Sequence, residues 1–141
     1  MKHTFLTLST CLVGLILAFP PITPAIELPP EEVYAGHKLI DDWNTEAAEH
    51  FTKTLLKKYP KSGDAYFLKA RVEFFKGNHD LATKILKQVT GNHREVHEFK
   101  NLVYETYEET KLFTTSESKH FIYRYQKGSD EILVHYATKV L

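Results

Sequence analysis

Between residues 30 and 112 the apolar positions recur three and four apart, and turn residues fill the breaks between the runs. The spacing predicts five helices, over 30–42, 45–58, 63–76, 79–90 and 93–112. Tyr59-Pro60 closes the second, because a proline disfavours helical backbone at the residue before it. Gly77 turns the chain between the third and fourth, and Gly91 ends the fourth. After residue 113 the texture changes. Residues 114–120, TTSESKH, read as a polar linker. Residues 120–126 alternate: Phe121, Tyr123 and Tyr125 share one face, and His120, Ile122, Arg124 and Gln126 the other, which predicts a strand. Residues 127–130 form a turn with Ser129 as N-cap of a last helix over 130–141, where Ile132, Leu133, Tyr136 and Val140 keep a helical period. One strand and one helix cannot close a core, so 113–141 reads as a truncated β-turn-α segment, the front of something larger.

The helical part repeats. A shift of 34 residues places Ala48 on Ala82, Phe51 on Ile85, Leu55 on Val89 and Gly36 on Ala70. Small residues fall on small ones and large apolar residues on large ones, as expected where antiparallel helices cross closely and larger side chains fill the seam. The shift fails beyond residue 93, where Ala70 would map to Tyr104 and Phe74 to Glu108, so the fifth helix reads as a cap.

The second copy, GDAYFLKARVEFFKGNHDLATKILKQV at 63–89, resembles a tetratricopeptide repeat. Tyr66 stands at the aromatic position, Ala70 and Ala82 at the small positions and Gly77 at the turn; Gly36, Ala48 and Pro60 match in the first copy. Trp43 departs from the pattern by replacing the turn glycine. Lys69 and Glu73 are polar where the family has apolar residues, and Leu68 and Val72, one step earlier, are expected to carry that packing. The resemblance implies a mostly α fold of helical hairpins, an α-solenoid with a capping helix over 26–112, that binds a protein or peptide along its concave face. The family's groove positions fall on His37, Ile40, Phe67, Arg71, Phe74 and Phe75, a set suited to a partner segment with apolar and acidic groups. The same aromatics also suit the solenoid core.

Composition narrows the picture. Of 141 residues, 43% are hydrophobic and 26% charged, with 18 basic and 18 acidic residues, so the chain reads as globular and has no basic stripe for nucleic acid. At the N-terminus, Lys2 and His3 precede an apolar run from Phe5 to Phe19 and a Pro-rich stretch ending at Ala25. This predicts a signal peptide over 1–25, cleaved after Ala25, or an uncleaved anchor, the only membrane contact expected. Cys11 is the sole cysteine and would leave with the signal. Export without disulfides fits a bacterial periplasm or cell envelope.

NHREVH, at 92–97, looks at first like the His-Glu-x-x-His signature of zinc peptidases. Here Glu95 lies two places after His93, about 200° round a helix from the His93/His97 face, and no third ligand is in sight. The stretch is read instead as a helix start, with Asn92 as N-cap and Glu95 at the capping-box position. His79, after Gly77-Asn78, is expected to be solvated. The sequence carries no Ser-His-Asp elbow, P-loop or dinucleotide turn, and no catalytic residue, cofactor or metal is predicted. A second resemblance covers 116–141: SESKHFIYRYQKGSDEILVHYATKVL is similar to the opening of a peptidase MA-like (gluzincin) domain. That implies an alternative function, the scaffold part of a longer zinc-dependent hydrolase. No catalytic residue of that family falls on this stretch.

Overall fold

The computed structural model describes residues 27–91 and 93–140, so the expected leader over 1–25 and the expected cap Asn92 lie outside the described residues. Among the described residues six helices and one hairpin follow in the order α1 (Pro30–Asp41), α2 (Thr45–Lys58), α3 (Gly63–Phe75), α4 (His79–Leu86), α5 (Arg94–Thr110), β1 (Thr114–Glu117), β2 (Ile122–Tyr125) and α6 (Glu131–Val140). Local chemistry sets most of the starts. Pro30 opens α1, where a missing N–H costs nothing. Asn44 Oδ1 accepts from the Ala47 amide at 3.2 Å, and Ser62 Oγ from the Ala65 amide at 3.3 Å, which caps α2 and α3.

The first hairpin, α1–α2, and the second, α3–α4, share α3 as a common wall. One flank of α3, with Ala65, Leu68 and Val72, packs on Ile40, Ala48 and Leu55. The other, with Phe67 and Ala70, packs on Ala82, Ile85 and Leu86 of α4 and on Val96 and Val103 of α5. Leu68 and Val72 do carry the packing that Lys69 and Glu73 cannot, at 0% and 1% exposed. The small repeat positions explain the close approach: a Cβ on Gly36 would stand 2.5 Å from Leu68 Cδ1. Glu73 is nonetheless buried, and it survives there because Lys69 Nζ reaches its carboxylate at 3.2 Å and Asn78 Nδ2 at 2.9 Å.

Four local readings need correction. α4 ends at Leu86 rather than 90, because the amides of Lys87, Gln88 and Val89 bond to carbonyls only three residues back and tighten the chain. The polar linker contains a strand: β1 pairs antiparallel with β2 in the register Thr114↔Tyr125 to Glu117↔Ile122. It has no core to face, so no apolar alternation marked it. At α5 the cap is His93, whose carbonyl accepts from the His97 amide at 3.2 Å, so Glu95 is not at the capping-box position. Asp130 rather than Ser129 starts α6, its carbonyl accepting from the Leu133 and Val134 amides. The hairpin is tied to the α3–α4 turn by Arg124, which donates to the Gly77 carbonyl, and α6 rests on β2 with no buried residue. No helix among the described residues is long and apolar enough to cross a membrane.

Candidate functional site: a groove across the first helices

A groove of about 600 Å³ crosses α1, α3 and the start of α5. Its floor holds His37 and Arg71, which occupy the same repeat position 34 residues apart. Arg71 donates to His37 Nδ1 and, at 3.0 Å, to Asp41 Oδ1. A guanidinium can only donate, so Nδ1 accepts and the imidazole is neutral with its proton on Nε2. Burial, and then the Arg71 charge, hold His37 below its ordinary value, against the upward pull of Glu95, Asp41 and Asp64. Tyr34, 71% exposed, stands at one wall, and Asp64 and Glu95 complete the rim.

Of the six residues expected to line the groove, His37 and Arg71 do so. Ile40 and Phe67 are 3% and 5% exposed and belong to the two core clusters. Phe74 is half-buried, edge-on to Phe99 at 5.5 Å, and Phe75 packs edge-on against Trp43 at 5.3 Å, so neither reaches Arg71's groove. Arg71 is also spent on Asp41, with 15% of its side chain exposed, so the basic anchor expected for an acidic partner is already neutralised. Tyr34, Asp41 and Asp64 were missed although spacing could have found them: Tyr34 and Asp41 lie three before and four after His37, and Asp64 lies seven before Arg71. Glu95 is absent from the expected set because its spacing from Asn92 equally fits a capping box.

His79 is half-buried rather than solvated: its Nδ1 lies 3.0 Å from Thr110 Oγ1 and its ring packs on Phe74 at 5.3 Å, joining the start of α4 to the end of α5. Burial and the Arg124 charge lower its pKa. His93 and His97 are both exposed. Among the described residues no group of three or more His, Cys, Asp or Glu side chains is placed to hold a metal.

Paired helices in a 34-residue register, small residues at the crossings and a groove across the first helices define a tetratricopeptide-type helical repeat protein. The chain belongs to the Iml2/Tetratricopeptide repeat protein 39 family, whose model matches residues 10–132. Repeats of this type generally mediate protein–protein interactions. No curated protein and no solved structure matches the chain.

Proposed function

We propose that the chain is a non-catalytic scaffold that holds an extended segment of a partner protein in the groove across α1, α3 and α5. The observation that carries this is the fixed His37–Arg71–Asp41 network on the groove floor, with Asp64 and Glu95 left on the rim without an ion pair among the described residues. With Arg71 neutralised in place, the rim favours a segment bearing Lys or Arg beside an apolar group that lies on Tyr34. Binding of a peptide library tests this. Basic peptides should be retained over acidic ones, retention should fall with salt, and Asp64→Lys with Glu95→Lys should abolish it. Preferential retention of acidic peptides would overturn the reading.

The same proposal places the protein outside the cytoplasm, in the cell envelope. Its support is the Lys2 start, the Phe5–Phe19 run and the Pro-rich stretch before Ala25. N-terminal sequencing of the native protein should begin at Ile26; an intact Met1 in a cytosolic fraction would refute it. The scaffold of a longer zinc hydrolase is the second reading, supported by the α6 apolar side chains Ile132 and Leu133, 61% and 64% exposed beyond the repeats. A downstream reading frame encoding His-Glu-x-x-His would favour it, and a frame without one would remove it.

A further inference from the structure

A cavity of about 640 Å³ lies where the α3–α4 turn, the end of α5 and the hairpin meet. It shares no lining residue with the groove across the first helices. Sites that hold small molecules run to about 300–1,000 Å³, so the space is of that size.

The charge here is opposite to the acidic rim of the groove. Arg124 of β2, Lys111 at the end of α5 and His79 at the start of α4 all line the cavity. Lys111 is paired with Glu108, and Asp80, the one carboxylate on this wall among the described residues, is paired with Lys84. Arg71 and Arg94 each hold a carboxylate, whereas Arg124 donates to the Gly77 carbonyl and makes no ion pair among the described residues. A guanidinium has five N–H donors, so a single carbonyl leaves most of them and the whole charge unmet.

His79 registers that imbalance. Thr110 Oγ1 donates to the Thr106 carbonyl at 2.7 Å, so toward His79 Nδ1, at 3.0 Å, it accepts. The neutral imidazole therefore carries its proton on Nδ1 and has a bare Nε2. Three carboxylates pull the pKa of His37 upward, but His79 is held down by burial and by the Arg124 charge, with no carboxylate pulling the other way. Thr115 stands opposite Arg124 in the hairpin register, so its hydroxyl is on the same face. The rest of the wall is apolar and aromatic: Tyr107, with Leu81 and Phe113 42% and 37% exposed.

We infer that this cavity binds a small organic phosphate, a phosphate monoester carried on a flat ring. The phosphate lies among Arg124, Thr115 and His79, and the ring lies on Tyr107, Leu81 and Phe113. A carboxylate serves less well, with one charge and two oxygens. A phosphate monoester brings nearly two charges and three strong acceptors to donors that arrive from separate elements. Its charge also favours a second proton on His79, which turns Nε2 into a further donor.

Titration of the full chain with phenyl phosphate, followed through the ring-proton resonances of its histidines, tests this. The ligand should raise the pKa of His79 and leave the resonances of His50, exposed on α2, unmoved. Phenyl phosphate should bind more tightly than inorganic phosphate, which lacks the ring, and than benzoate, which lacks the phosphate. Arg124→Gln keeps an amide that can donate to the Gly77 carbonyl. It should weaken binding about tenfold or more, the worth of a charge-assisted hydrogen bond, with the spectrum of the free hairpin unchanged. If that variant detaches the hairpin, Thr115→Val, which leaves the Arg124 tie in place, must weaken binding instead. An unmoved His79 would overturn the inference, as would benzoate bound as tightly as phenyl phosphate, or undiminished binding in the folded variant. A phosphotyrosine peptide bound more tightly than phenyl phosphate would overturn it too, since the occupant would then be a partner's side chain.

Discussion

The two helical hairpins reverse the chain with one backbone and two different residues. After α1 the amides of Trp43 and Asn44 return to the carbonyls of Ile40 and Leu39, both at 3.0 Å; after α3 those of Gly77 and Asn78 return to Phe74 and Glu73, both at 2.8 Å. This is the Schellman pattern, 34 residues apart, and it requires a left-handed residue, supplied by Gly77 at φ +76° and by Trp43 at φ +57°. Glycine takes that conformation freely, whereas a side chain there costs about 1–2 kcal/mol. Trp43 recovers part of that through its edge contact with Phe75, a kind of pair contributing about 0.5–1.5 kcal/mol. The asparagines that follow also diverge. Asn44 caps α2, while Asn78 gives up the cap and spends its amide on the buried Glu73. A repeat therefore conserves the backbone path and leaves each copy to solve its own side-chain problem.

The largest way to break this parallel is at the wall the copies share. Leu68→Ala should cost about 2–5 kcal/mol in denaturant unfolding, because the side chain is fully enclosed and Gly36 offers nothing to refill the space. The paired asparagines come next. Asn78→Ala should cost about 1–3 kcal/mol by leaving a buried carboxylate oxygen unmet. Asn44→Ala should cost about 1 kcal/mol as an ordinary cap loss, and equal losses at the two sites would contradict the difference drawn between them. The turns themselves follow. Gly77→Ala should lose about 1–2 kcal/mol, since it puts a Cβ in the left-handed region and 2.7 Å from Arg124 Nη1. Trp43→Gly should change stability by less than about 1 kcal/mol, strain relief and lost ring contact offsetting each other. In a Phe75→Ala background the same substitution should become clearly stabilising. Thermal unfolding of the four proteins of that cycle checks it.

The smallest effect is a pH slope. His37 resists protonation in the folded chain, whereas the unfolded chain takes up the proton near 6.5. The unfolded state thus binds more protons in that window, so the stability from this site is present above about 6.5 and is lost as the pH falls through the lower folded value. His79 acts in the same sense. The melting temperature should fall between pH 7.5 and pH 5, less steeply in His37→Asn, which keeps an acceptor for Arg71. An unchanged slope in that variant would mean that His37 is not the group whose titration sets it.

Helices were legible where burial and punctuation agreed. The spacing and Tyr59-Pro60 place α2 at its observed bounds, and the structure adds the Asn44 cap at its start. β1 was not legible, since a two-stranded hairpin off the core needs no apolar face. The pair at the groove floor came with the family resemblance, whose groove positions include His37 and Arg71, and the structure shows them in contact, 34 residues apart. Phe74 and Phe75 could not be placed by register alone, because which side of α3 is covered depends on where α5 comes to rest. Glu95 was misassigned for a different reason: a helix start can be shifted by a single residue at no visible cost in sequence, and that shift moves a carboxylate from its own backbone to the groove.

The double-sided α3 has a consequence for how the molecule comes apart. A solenoid whose hairpins each kept a private core could lose one end and retain the other. Here the apolar clusters of both hairpins meet on a single helix, so opening either one uncovers half of α3. The amides of α3 should therefore exchange with deuterium only through complete unfolding, at the slowest rate in the chain, while those of α6 exchange through local opening.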